Sequence, residues 1–142
     1  KNTIRLNIGI ESLFFNCLNV CENNISIISK IEQKNASIFR ISNLDNPMLI
    51  QNNTFNINAE VDPEVKEIRF FNFINGKLNG NKVVISNNNV VDNLNGANLF
   101  KIFFQSMKDS TPQTIYLTDN NFGNFSEIGV WENTTDYNVE EN

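Results

Sequence analysis

The sequence predicts an all-β sandwich, and three observations carry that prediction. Period-two alternation recurs. Over residues 3–10, Ile4, Leu6, Ile8 and Ile10 share one face, and over 54–61 Phe55, Ile57, Ala59 and Val61 do the same, which is the pattern of strands with one buried side. Short apolar runs are separated along the whole chain by Asn, Gly and Pro turn signals. The aromatic content is dominated by 12 Phe residues, a side chain that suits packed, pleated strands.

Taken in order, residues 3–10 form a first strand. Over 12–21, Leu13, Phe14, Cys17, Leu18 and Cys21 take helical spacing behind a Ser12 cap, which predicts one short helix. Residues 25–31 and 37–42 read as strands and 44–47 as a turn. The stretch 54–80 is the centre of the fold. It comprises a strand over 54–61, an acidic turn, and a second strand with Ile68, Phe70 and Ile74 on one face and Phe71 and Phe73 on the other. A strand apolar on both faces needs cover on both, which places it centrally in its sheet. Residues 82–86 form a short strand, 87–98 a polar loop, and 99–107 a strand favoured over a helix by its Phe content. Strands over 114–118 and 125–131 flank a tight loop, and 133–142 is a polar tail. Eight or nine short strands at intervals of roughly 8–15 residues imply a sandwich, in a single domain over 1–142. No internal repeat is read in the chain.

Composition removes several classes of function. The net charge is −5, and the eight Lys and three Arg form no basic stripe, which argues against a nucleic-acid partner. No apolar run approaches the ~18 residues of a membrane span. The chain opens on Lys1 without an initiator Met, as a processed or trimmed protein does. With no His, the commonest proton shuttle and the Ser-His and Cys-His nucleophile pairs are missing, so an enzyme is not expected. The six Gly are scattered and make no phosphate loop. The 29 Asn, spread over the whole length, read as the bias of an AT-rich genome.

Few residues suggest a site. Asp119, Asn121 and Glu127 place oxygen ligands around a tight loop, a candidate calcium site; against it stands the ordinary preference of Asp and Asn for turns. No other cofactor is indicated. Cys17 and Cys21 are either a disulfide, if their segment is a loop, or two buried thiols. Glycosylation sequons stand at Asn24, Asn35, Asn52, Asn124 and Asn133. Phe71, Phe73 and Trp131 are candidates for an exposed aromatic face that would hold a ligand or a second subunit.

Two segments, FNINAEVDPEVKEIRFFNFINGKL at 55–78 and TIYLTDNNFGNFSE at 114–127, resemble bacterial immunoglobulin-like modules of secreted and cell-surface proteins. The resemblance covers roughly residues 50–132. It implies an immunoglobulin-like β-sandwich and a role as spacer, adhesin or fibre subunit at the cell surface or outside the cell. The alternating N-terminal strand then suggests donor-strand complementation, with Ile4, Leu6, Ile8 and Ile10 as anchors in a neighbouring subunit of a homo-oligomer or filament. The competing expectation is a carbohydrate-binding module that uses the aromatic strand face.

Overall fold

The computed structural model describes residues 2–8, 13–15, 19–32, 35–41, 46–74, 77–94, 97, 99–105, 114–132 and 138–141. Among them are fourteen strands: β1 (Asn2–Ile8), β2 (Leu13–Phe15), β3 (Asn19–Cys21), β4 (Asn23–Ile31), β5 (Asn35–Ile41), β6 (Met48–Gln51), β7 (Thr54–Val61), β8 (Glu67–Ile74), β9 (Val83–Ser86), β10 (Asn89–Asp92), β11 (Phe100–Gln105), β12 (Thr114–Thr118), β13 (Phe125–Glu132) and β14 (Asn138–Glu141). They form three sheets. Sheet A has the order β1-β4-β7-β10, sheet B β13-β11-β8-β5-β2, and sheet C β14-β12-β9-β6-β3. Every strand pairing is parallel. The chain therefore visits sheets A, B and C in turn and stacks each circuit on the one before, which is a parallel β-helix. The last circuit touches sheet A only through a bridge from Asn121 to Asn89 before it enters β13.

This architecture overturns the immunoglobulin-like sandwich, which is antiparallel, and with it the resemblance to bacterial surface modules. β7 and β8, read as one strand–turn–strand unit, lie in different sheets. The link between them turns a corner without reversing the chain: Asp62 N–H continues the ladder to Ile31 O at 2.9 Å, Val65 N–H closes back on Asp62 O at 3.0 Å, and Val65 is buried. Period-two alternation is the same in both folds, because each buries one side of its strands. The short helix expected over 12–21 is replaced by β2 and β3, the polar loop over 87–98 contains β10, and the polar tail contains β14.

The donor-strand filament or adhesin falls for the same reason. It requires an incomplete antiparallel sandwich, whereas β1 lies parallel to β4 of its own chain along all its 7 residues. Its supposed anchors Ile4, Leu6 and Ile8 stand in register with Ile25, Ile27 and Ser29, all of them buried positions. Ile10 lies outside the described residues.

The core is a set of rows running along the stack. In sheet A, Ile25, Phe55 and Val90 are in register; in sheet C, Met48, Val83 and Ile115 are. A column of phenylalanine rings links the coils. Phe39 stacks on Phe71 at 5.4 Å, Phe70 meets Phe100 at 5.9 Å, and Phe100 meets Phe125 at 5.4 Å. β8 is the middle strand of sheet B, as its two apolar faces suggest. Those faces do not both look outward for cover, however. A register shift between Lys101 and Ile102 against β8 marks a bulge, and the consecutive rings of Phe70 and Phe71 both reach Phe55 of sheet A, at 5.3 and 6.3 Å.

The corner from sheet C to sheet A is the most regular part of the molecule. Glu22, Asn52, Asn87 and Asp119 each adopt positive φ, between 53° and 58°, a left-handed conformation that Asn and Asp tolerate better than most residues. An asparagine follows each of them: Asn23, Asn53, Asn88 and Asn120. The side chains of Asn53, Asn88 and Asn120 form a ladder inside the stack that starts at the backbone N–H of Asn23, whose own Oδ1 is buried without a partner. Asn53 Oδ1 accepts from Asn23 N–H at 3.0 Å, Asn88 Oδ1 from Asn53 N–H at 3.1 Å, and Asn120 Oδ1 from Asn88 N–H at 3.0 Å. The amide nitrogens of Asn53, Asn88 and Asn120 donate to Val20 O, Ile50 O and Ile85 O at 2.8, 2.8 and 2.7 Å. Each rung thus ties a corner to the coil before it, and satisfies groups that burial would otherwise leave unpaired.

Candidate functional site

The outward side chains of sheet A make the most distinctive surface. β4 alternates strictly: Asn23, Ile25, Ile27, Ser29 and Ile31 are buried, which turns Asn24, Ser26, Ile28 and Lys30 outward. The parallel register then stacks like positions across coils. Asn24 aligns with Thr54 and Asn89, Ser26 with Asn56 and Val91, and Ile28 with Asn58. A groove of about 480 Å³ runs over this face, bordered by Ser26, Ile28, Asn56, Asn58, Val91 and Asn93. Ile28 and Val91 are 44% and 49% exposed and are the large hydrophobic residues left most open among those described.

The amides of this face are held in place by one another. Asn56 Nδ2 donates to Asn24 Oδ1 at 2.6 Å, Asn93 Nδ2 to Asn58 Oδ1 at 2.9 Å, and Asn121 Nδ2 to Asn89 Oδ1 at 2.9 Å. Asn93 is fixed further by the backbone of Ala59, whose N–H it accepts at 2.9 Å. A carboxamide offers two N–H donors and two acceptor lone pairs, so one bond to a neighbour orients the group and leaves capacity for a ligand. The result is an array of positioned donors and acceptors beside two apolar patches, spread over three coils.

Other faces offer less. On sheet B, Arg69 Nε meets Glu67 at 3.0 Å, and Lys101 Nζ lies 3.7 Å from Glu67 and 3.6 Å from Glu127; this network compensates its own charge. At the edge of sheet A, Lys30 pairs with Glu32 at 2.6 Å, and that hydrogen bond and charge, with Glu60 and Asp62 behind them, raise the Lys30 pKa. Among the described residues no group of three or more His, Cys, Asp and Glu is placed to hold a metal ion.

The residues singled out from sequence are dispersed. Phe71 and Phe73 are 1% and 0% exposed, so they form core and cannot serve as a ligand or subunit face. The carbohydrate-binding aromatic face fails with them. Trp131 lies on β13 in register with Phe104. Asp119 is one of the left-handed corners, and Asn121 Oδ1 accepts from Gly123 N–H at 3.2 Å while its nitrogen serves Asn89. Glu127 stands on a sheet B strand facing Lys101. The candidate calcium ligands are thus divided between a corner and a strand, each with protein partners at hand. Cys21 is a free thiol with Sγ 4.0 Å from Leu49 O, and Cys17 lies outside the described residues. Of the sequons, Asn52 is exposed at a corner, Asn24 lies on the outer face of sheet A, Asn35 opens β5, Asn124 is half-buried ahead of β13, and Asn133 is outside the described residues.

The amides of this face and the ladder are not visible to strand periodicity, but the sequence does carry a signal for them. Glu22-Asn23-Asn24-Ile25, Asn52-Asn53-Thr54-Phe55, Asn87-Asn88-Asn89-Val90 and Asp119-Asn120-Asn121-Phe122 are one motif repeated at intervals of one coil. Against protein-family models, curated proteins and solved structures, the chain has no significant match.

Proposed function

We propose that this chain is a non-catalytic binding module that works outside the cell or at its surface, and that the outer face of sheet A holds an extended carbohydrate. The observation that carries this reading is the groove itself. Orienting amides, a serine hydroxyl and the apolar side chains of Ile28 and Val91 alternate over three stacked coils. Solenoids offer long surfaces of this kind to extended ligands. A polysaccharide displays hydroxyl groups that both donate and accept, with C–H faces between them, and positioned carboxamides beside small apolar patches match that chemistry. Recognition falls to the asparagines because Phe39, Phe55, Phe70, Phe71, Phe73, Phe100 and Phe122 are buried in the core. The absence of His from the chain also favours binding over acid–base chemistry.

Electrophoresis through gels cast with soluble polysaccharides tests the reading. The expected result is retarded migration in at least one gel, lost in the double variant Asn56→Ala with Asn58→Ala. Because both side chains lie on the outer face, that variant keeps its far-ultraviolet spectrum and melts within a few degrees of the parent. Equal migration of parent and variant in every gel overturns the proposal.

A further inference from the structure

We infer that the ligand of sheet A is a pyranose chain laid along the stack, one sugar to a coil and at least three sugars long, with the middle sugar clamped between Asn56 and Asn58; this rests on the carbohydrate-binding reading above. The groove takes one pair of outward side chains from each of three coils: Ser26 with Ile28, Asn56 with Asn58, and Val91 with Asn93. Neighbouring coils of a sheet lie about 4.8 Å apart, close to the advance of one residue in an extended pyranose chain, whereas outward positions along a strand lie about 6.6 Å apart. The shorter spacing therefore repeats with the sugars, and the longer one spans the width of a ring. The hydrogen bonds single out the middle pair. Asn56 gives an amide N–H to Asn24 in the coil before, and Asn58 lends its oxygen to Asn93 in the coil after. The atoms outside these bonds are complementary, Asn56 Oδ1 an acceptor and Asn58 Nδ2 a donor. A ring seated between them meets an acceptor at one edge and a donor at the other, which hydroxyl groups on opposite edges of a pyranose satisfy. On the flanking coils the exposed Ile28 and Val91 stand on opposite sides of the groove, Ile28 in register with Asn58 and Val91 with Asn56. They give the first and third sugars an apolar contact for their C–H faces. β1 extends sheet A by a further coil beyond β4, so three sugars is a minimum.

Calorimetry with gluco-, xylo- and manno-oligosaccharides of increasing length, from the monosaccharide upward, tests the inference on the whole chain. In the series that binds, the trisaccharide should bind about tenfold or more tighter than the disaccharide. Ile28→Ser and Val91→Ser should each remove most of that step. Asn58→Asp, which still accepts from Asn93 but no longer donates, should weaken the trisaccharide roughly fivefold. Thr54→Val and Glu60→Gln, on the strand of the middle pair but outside the groove, should leave its Kd unchanged. Loss of binding in Thr54→Val and Glu60→Gln, with Ile28→Ser and Val91→Ser unaffected, places the ligand along a strand and overturns the inference while sustaining a carbohydrate site. A disaccharide that binds as tightly as the trisaccharide overturns it too, as do polysaccharides that slow migration in gels while no oligosaccharide binds. If neither oligosaccharides nor polysaccharides bind, the carbohydrate reading itself fails, and this inference with it.

Discussion

At the corner between sheets C and A, Glu22, Asn52, Asn87 and Asp119 repeat one backbone conformation and hand on to one asparagine ladder. The corner between sheets A and B, by contrast, runs through residues 62–66 in one coil and 93–99 in the next. The first kind of corner has the same length in successive coils, so its side chains can stack and bond across them. The second varies in length and is stabilised locally, as where Asp62 Oδ1 caps Glu64 N–H at 2.8 Å and Asp92 Oδ1 caps Leu94 N–H. One corner fixes the registration of the coils. The others accommodate whatever length the chain supplies.

The difference can be broken from its strong side first. Inserting one glycine between Asn87 and Asn88 displaces the ladder from the corner and shifts β10 by one residue, exchanging its inner and outer faces. The expected outcome is loss of cooperative unfolding, measured by circular dichroism during a urea titration. Asn88→Ala keeps the register but leaves Asn53 N–H and Ile50 O without the bonds they now make, so it should cost about 3 kcal/mol or more, read from the urea midpoint. Asn87→Val should cost about 1–2 kcal/mol by forcing a β-branched residue into left-handed backbone, whereas Asn87→Gly should lie within a few tenths of the parent. Smallest of all is a three-residue Gly-Ser-Gly insertion between Asn79 and Gly80, both at positive φ in the exposed turn closed by Asn81 N–H to Leu78 O at 2.9 Å. Its cost should stay below about 1 kcal/mol. If this insertion proves as damaging as the first, the two kinds of corner are not different in kind.

How much of this was legible in the residues follows from the same contrast. Alternation locates β1 and β7 well, because a strand with one buried side writes its pattern locally, while β11 is legible as a strand from its Phe content and β8 from apolar residues on both faces. What alternation cannot write is the partner. Phe55 and Ile57 read alike whether the neighbouring strand is the next in sequence or one coil away, and Asp-Pro-Glu at 62–64 looks like a hairpin turn as readily as a corner. Strands as short as β3, β6 and β10 carry too few residues for a period to show. The bulge that brings Phe70 and Phe71 to the same side is invisible to any strict period. Asparagine misleads most: its abundance reads as composition, although Asn23, Asn53, Asn88 and Asn120 recur in one local motif. The unequal corners between sheets A and B and between B and C conceal that recurrence by changing the spacing. The amides of the sheet A groove were missed for a related reason, since Asn56, Asn58 and Asn93 become neighbours only once the coils are stacked.

The register of the sheets has a consequence for how the molecule comes apart. Ile25 meets Phe55 and Phe55 meets Val90, but strand pairing never reaches past the adjacent coil. Among the described residues no strand fastens the first coil to the fourth, so the strand pairing does not oblige the two ends to open together. Opening spreads inward one layer at a time, each layer costing one interface. The backbone amides of β8 and β9, the middle strands of sheets B and C, should then outlast those of the edge strands β1 and β14 in deuterium exchange.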